Sequence, residues 1–164
     1  MRIDRADETD VAALARLLWI DTHDELPGRE AADEFAAQLS RWWIDHRDSH
    51  QAFVARLRRP EIVGMAWVAL LPRVPRPGAT HRLSADVQSV YVLPEHRGQG
   101  IGSALVDAAA SHATHRGAAR VTVQSGRRAV PVYERLGFES SRQLLQRVPQ
   151  EGPLTPPSTD TFLA

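Results

Sequence analysis

The chain has 164 residues, 43% of them hydrophobic, with twenty acidic and twenty basic side chains and a formal net charge of zero. That balance excludes a global field drawing it to nucleic acid or to an anionic membrane, and the absence of cysteine excludes a disulfide framework, a thiolate nucleophile and a thiolate metal site. The length suits one domain with its own core, spanning 1–148; with no signal-peptide pattern at the N-terminus and no bilayer-length apolar run, a cytoplasmic protein is expected.

Asp7 is expected to cap a helix running to about Thr22, with Val11, Leu14, Leu17 and Leu18 as its apolar stripe. A loop through Asp24-Glu25-Leu26-Pro27-Gly28 leads to a second helix, about Glu30 to Asp45, with Phe35, Leu39, Trp42 and Trp43 on its buried face. Gln51 to Leu57 and Glu61 to Leu71 read as a hairpin around Arg58-Arg59-Pro60. Pro72 to His81, with three prolines and a glycine, reads as a loop. A strand from Ala85 to Val92, a glycine turn and a helix from Gly100 to Thr114 follow. Then come a strand from Ala119 to Val123, a short helix near Arg128 to Leu136, and one or two strands between Phe138 and Val148. Pro131 falls in the first turn of that short helix, where a missing N–H costs little. From Pro149 the polar, proline-rich residues 149–164 read as a disordered or loosely docked tail.

The most informative stretch is Val90-Tyr91-Val92-Leu93-Pro94-Glu95-His96-Arg97-Gly98-Gln99-Gly100-Ile101-Gly102. An apolar strand stops at a proline, a glycine-rich turn follows, and a helix begins. The first amides of a helix lack partners within it and sit at the positive end of its dipole, so such a turn cradles a phosphate or pyrophosphate. Glycines let the anion approach the backbone. A Walker A loop would need a lysine before Ser or Thr, and the chain has no lysine. A dinucleotide fingerprint would need G-x-G-x-x-G and an acidic residue ending the next strand; here the glycines are spaced two and two, and Gln124-Ser125 follows that strand.

Arg97-Gly98-Gln99-Gly100-Ile101-Gly102 resembles the Gln/Arg-x-x-Gly-x-Gly/Ala signature of the GNAT-type N-acetyltransferases, which bind acetyl-coenzyme A. Tyr91-Val92-Leu93-Pro94-Glu95 is similar to the family's lead-in, and Tyr133-Glu134-Arg135-Leu136-Gly137-Phe138 to its closing helix and Gly-Phe pair. The resemblance covers about residues 50–140 and implies an α/β GNAT fold. In that fold a mixed, mostly antiparallel sheet is flanked by helices, and the parallel pair Ala85–Val92 and Ala119–Val123 splays to admit the pantetheine. It implies acetyl transfer from acetyl-coenzyme A to an amine acceptor by direct attack in a ternary complex, with a small molecule favoured over a protein. A homodimer would also be in keeping with the family.

By this resemblance the backbone of Gly98, Gln99, Gly100, Ile101, Gly102 and Ser103 binds the pyrophosphate, and Val90, Tyr91 and Val92 pair with the pantetheine. Arg97, Arg127 and Arg128 approach a phosphate; for Arg127 and Arg128 an ordinary exposed helix start is the plainer account. Tyr133 takes the position of the acid that protonates the departing thiolate, and a phenol with a pKa of about 10 holds its proton at neutral pH. Asp86 lies eleven positions before Arg97, where many relatives carry a glutamate base. On the residues alone, Tyr133 is equally a core ring and Asp86 equally a solvated carboxylate. Two departures stand out: Gly126 replaces an asparagine common seven residues before the tyrosine, with Gln124 or Ser125 as substitutes, and Val121 replaces the glutamate of the ribosomal-protein branch. His23, Asp24 and Glu25 lie where the acceptor enters, although an acidic loop is more commonly just hydrated. The histidines, including His112 and His115, lack metal-ligand spacing, so no metal is expected. The alternative is a catalytically weak acyl-coenzyme A-binding sensor or interaction module.

Overall fold

An apolar run without alternation needs cover on both of its faces, and in the computed structural model the run from Ile62 becomes the middle of a sheet. The structure describes residues 1–58, 61–126, 129–142 and 144–146. The roles expected of Arg127 and Arg128, and the expected tail at 149–164, lie outside the described residues. In chain order the elements are β1 (Arg2–Arg5), α1 (Val11–His23), α2 (Arg29–Asp45), β2 (His50–Arg58) and β3 (Glu61–Arg73), followed by β4 (Arg82–Val92), α3 (Ile101–His115), β5 (Ala118–Val123) and α4 (Val130–Arg135). The strands lie in sequence order, antiparallel from β1 to β4, with β5 parallel to β4.

Residues Ile62 to Leu70 of β3 are all buried, because helices cover both faces. Cross-strand partners share a face, so the register assigns the layers. Phe53 pairs with Ala66, and its ring meets His112 of α3 at 5.6 Å. The neighbouring Trp67 points the other way and meets Trp43 of α2 edge-on at 5.1 Å. Helix α3 therefore covers one face, burying Ile101, Leu105, Val106, Ala109 and Ala113, while α1 and α2 cover the other. Gly64 lets α3 lie close: a Cβ there would stand 3.0 Å from the Tyr91 carbonyl oxygen and 3.1 Å from Leu105 Cδ1.

Asp7 caps a turn, as expected, but that turn is a single 3-10 turn (Glu8–Asp10) running into α1. Asp7 Oδ1 accepts from the Thr9 amide at 2.8 Å, and Asp10 Oδ2 accepts from the Asp7 amide at 3.1 Å. The same Asp10 oxygen accepts from Arg56 Nη2 at 2.7 Å, and Arg56 Nε donates to Asp4 at 3.2 Å. This network ties β1, the start of α1 and β2 together.

Two expectations need correction, and one strand is new. Strand β1 was not anticipated: Arg-Ile-Asp-Arg has no apolar run of its own and becomes a strand by pairing with β2. The strand expected after Phe138 is absent among the described residues, where a turn with the Leu144 amide 3.4 Å from the Ser141 carbonyl takes its place. Trp42 is 40% exposed, stacking on His46 at 4.4 Å rather than filling the core.

Because the Asp10 and Arg56 side chains are only 5% and 14% exposed, removing one partner strands the other's charge. Asp10→Ala should lower stability by about 3 kcal/mol in urea unfolding, and Asp10→Asn, which keeps an acceptor oxygen, should lose less.

Candidate active site

With a shift of register between Leu83 and Ala85, strands β4 and β5 pair as far as Val87 and Val123 and no further. At the same point β4 carries a bulge against β3: Trp67 faces Ser89 and Val68 faces Val87, which leaves Gln88 as the extra residue. A bulge bends its strand and increases the local twist, and β5 itself ends at Val123, so the last five residues of β4 run on without a partner strand on that side. This is the splay anticipated for the parallel pair.

At the end of β4 the chain passes through a 3-10 turn (Pro94–His96) into the glycine turn. Gly98 and Gly100 have φ of 73° and 77°, which glycine adopts without strain, and neither would bring a Cβ within 4 Å of another atom. Helix α3 starts at Ile101 without a side-chain cap, and the Ala104 amide is bonded to the Gly100 carbonyl at 3.0 Å. The amides of Ile101, Gly102 and Ser103 thus precede the helical ladder and face outward at its positive end. Arg97 Nε donates to the Val92 carbonyl at 2.9 Å, and its guanidinium lies 5.4 Å from the centroid of the Tyr91 ring. These groups line a cleft of about 520 Å³ that reaches Tyr133.

Tyr133 is placed by the way α4 ends. The Phe138 amide donates to the Tyr133 carbonyl at 3.1 Å, the Gly137 amide to the Glu134 carbonyl at 3.0 Å, and Gly137 has φ 83°. This is a Schellman closure, whose accompanying apolar contact is here the Phe138 ring against Tyr133, edge-on at 5.6 Å. The Gly-Phe pair therefore orients the tyrosine. Burial pushes the Tyr133 phenol above its usual value, which keeps its proton in place at neutral pH.

A second cleft, of about 270 Å³, opens in the splay between Val87–Val90 and Val123–Gly126. Asp21, Val90, Ala129 and Tyr133 line both clefts and mark their junction. Gln124, Ser125 and Gly126 line the second one, so the two polar substitutes expected for the missing asparagine lie beside the glycine that replaces it.

Of the expected site residues, Val90, Tyr91, Val92, Arg97, Gly98, Gly100, Ile101, Gly102, Ser103 and Tyr133 line the first cleft, and Gln99 does not. Asp86 lines neither cleft; its Oδ1 accepts from the Thr122 hydroxyl at 2.8 Å. His23, Asp24 and Glu25 form the exposed end of α1 and also line neither cleft. His23 stacks on Trp19 at 4.5 Å, and Asp24 closes the helix in the left-handed region at φ 56°. Sequence reasoning missed Asp21. The signal was its spacing, three residues after Leu18 and four after Leu17, which continues the apolar stripe of α1 with a carboxylate.

No described helix is long and apolar enough to cross a membrane, and the described residues hold no cluster of three or more potential metal ligands. Residues 11–138 match the model of the Acetyltransferase (GNAT) family. A glucosamine 6-phosphate N-acetyltransferase of Trypanosoma brucei brucei is 31% identical over 85 residues, which are 52% of this chain and 56% of that protein. The match spans little more than half the length of this relative. A solved acetyltransferase of Trypanosoma brucei superposes with a TM-score of 0.71 at 23% identity, covering 90% of this chain and 98% of the other. A predicted acetyltransferase of Clostridium acetobutylicum, solved with acetyl-CoA, gives a TM-score of 0.67 at 18% identity, covering 90% and 95%. At these identities the two structures establish the shared fold.

Absorbance titration of phenolate should place the signal lost in Tyr133→Phe above the ordinary phenol value of about 10. A pKa raised on folding stabilises the protonated form, so this contribution is complete below pH about 10 and disappears as pH rises through the folded-state value. Alkaline melts should be less pH-sensitive in Tyr133→Phe than in the native chain.

Proposed function

The chain belongs to the Acetyltransferase (GNAT) family, and on that premise we propose that it transfers an acetyl group from acetyl-coenzyme A to the primary amine of a small acceptor. The family uses acetyl-coenzyme A. The observation that carries the proposal is the meeting of two clefts at Tyr133, one running to an uncapped helix start with two open glycines and the other into the splay.

The outward amides of Ile101, Gly102 and Ser103 bind the pyrophosphate, helped by the dipole of α3. The backbone of Val90–Val92, beyond the pairing with β5, pairs with the pantetheine as an added strand would. That lays the thioester at the junction of the clefts. The acceptor enters from the splay, whose Gln88, Ser89, Gln124 and Ser125 suit a hydroxylated amine. Tyr133 donates its proton to the departing sulfur, and attack is direct because the chain has no cysteine to carry an acetyl group. We place the reaction in the cytoplasm.

The engagement of Asp86 by Thr122 favours a second reading, an acyl-coenzyme A-binding module with little turnover. A thiol-release assay with glucosamine 6-phosphate, glucosamine and ethanolamine separates the two: release dependent on the amine supports the enzyme, and binding without release supports the module.

Calorimetry should find acetyl-coenzyme A bound by the native chain. In Gly100→Glu the affinity should fall at least about 100-fold, because a carboxylate beside the phosphates costs several kcal/mol; unchanged affinity would sink the assigned site. Tyr133→Phe should keep the affinity and lower kcat by about 10²-fold.

A further inference from the structure

We infer that Asp21 is the carboxylate that receives the acceptor's ammonium group and takes its proton, an inference that rests on the acetyltransferase reading above. On α1 the positions facing the sheet are apolar through Leu14, Leu17 and Leu18, and Asp21 is the next position on that stripe. A carboxylate in line with buried leucines is costly unless it meets water or a cation. Asp21 avoids that cost by emerging at the junction of the two clefts, where it and Tyr133 line both. One polar group comes from α1 and the other from α4, so an amine lying between them reaches the thioester with a base on one side and an acid on the other. Asp86, in contrast, lines neither cleft and already accepts a hydrogen bond from Thr122.

The charged and titratable groups lining the cofactor cleft with Asp21 are Tyr91 of β4, His96 and Arg97 of the turn, and Tyr133 and Arg135 of α4. Asp21 is exposed to solvent on one side; the partial burial of its other side raises the carboxyl above its ordinary value, and the field of Arg97 opposes this in part. The same partial desolvation disfavours a charged ammonium, lowering its pKa and making it a stronger acid, which narrows the gap across which the proton moves.

The step balances as follows. The ammonium gives one proton to Asp21 and the neutral nitrogen attacks the thioester carbon. A C–N bond forms and the C–S bond breaks. Tyr133 gives its proton to the sulfur and recovers one from the nitrogen, which becomes an amide, and Asp21 releases its proton to water.

The test compares the native chain with Asp21→Asn and Asp21→Ala, using glucosamine and ethanolamine as acceptors. With the native chain active, Asp21→Asn should lower kcat/KM for the amine by about 10²-fold and leave acetyl-coenzyme A affinity and melting temperature unchanged. The acidic limb of kcat/KM against pH should disappear with the carboxylate, and formate should restore part of the rate in Asp21→Ala. Equal rates and an unchanged pH profile in Asp21→Asn, beside an active native chain, would overturn the role of Asp21 alone. A native chain that binds acetyl-coenzyme A yet acetylates neither amine would overturn this role for both acceptors and leave the cofactor site standing, and one that fails to bind acetyl-coenzyme A would overturn the acetyltransferase reading with it.

Discussion

Backbone amides and carbonyls that leave a sheet must find partners elsewhere, and in this protein that requirement is concentrated along the end of β4. The strand parts from its parallel neighbour where β5 ends at Val123, and one extra residue, Gln88, bends it at the same point. Everything at the candidate site follows from that separation. It opens the gap into which α4 sets Tyr133, and it exposes the strand edge that leads to the glycine turn.

The other half of the site depends on where α3 begins. Five buried apolar residues hold α3 to the sheet, and Gly64 removes the side chain that would hold it away. With its body fixed by the core, the helix presents its first turn at the end of β4, and the positive φ angles of Gly98 and Gly100 allow the chain to reach it. The anion cradle is thus a product of core packing as much as of the turn that forms it.

The glycine turn was legible because its chemistry is local: spacing, backbone freedom and a helix start all lie within a dozen residues. The helices were legible because their apolar patterns match their period, and the middle strands because short apolar runs are bounded by turn residues; α2 differs from expectation by one residue at its start. What could not be read depends on distant partners. Strand β1 exists through its pairing with β2, and Asp10 is a helix-start residue whose second partner, Arg56, lies 46 positions away. Asp21 was hidden differently: its spacing marked it as a stripe position, but only the splay shows that the stripe has left the core by then.

The closure of α4 extends beyond the helix itself. The turn at Gly137 brings the Phe138 amide to the Tyr133 carbonyl and the Phe138 ring back onto the Tyr133 ring, while nothing lies within 4 Å of where the Gly137 Cβ would stand. The instruction that aims the phenol is therefore stored in a torsion angle, not in a contact. A map of this site drawn from side-chain neighbours alone would leave out the residue that sets its geometry.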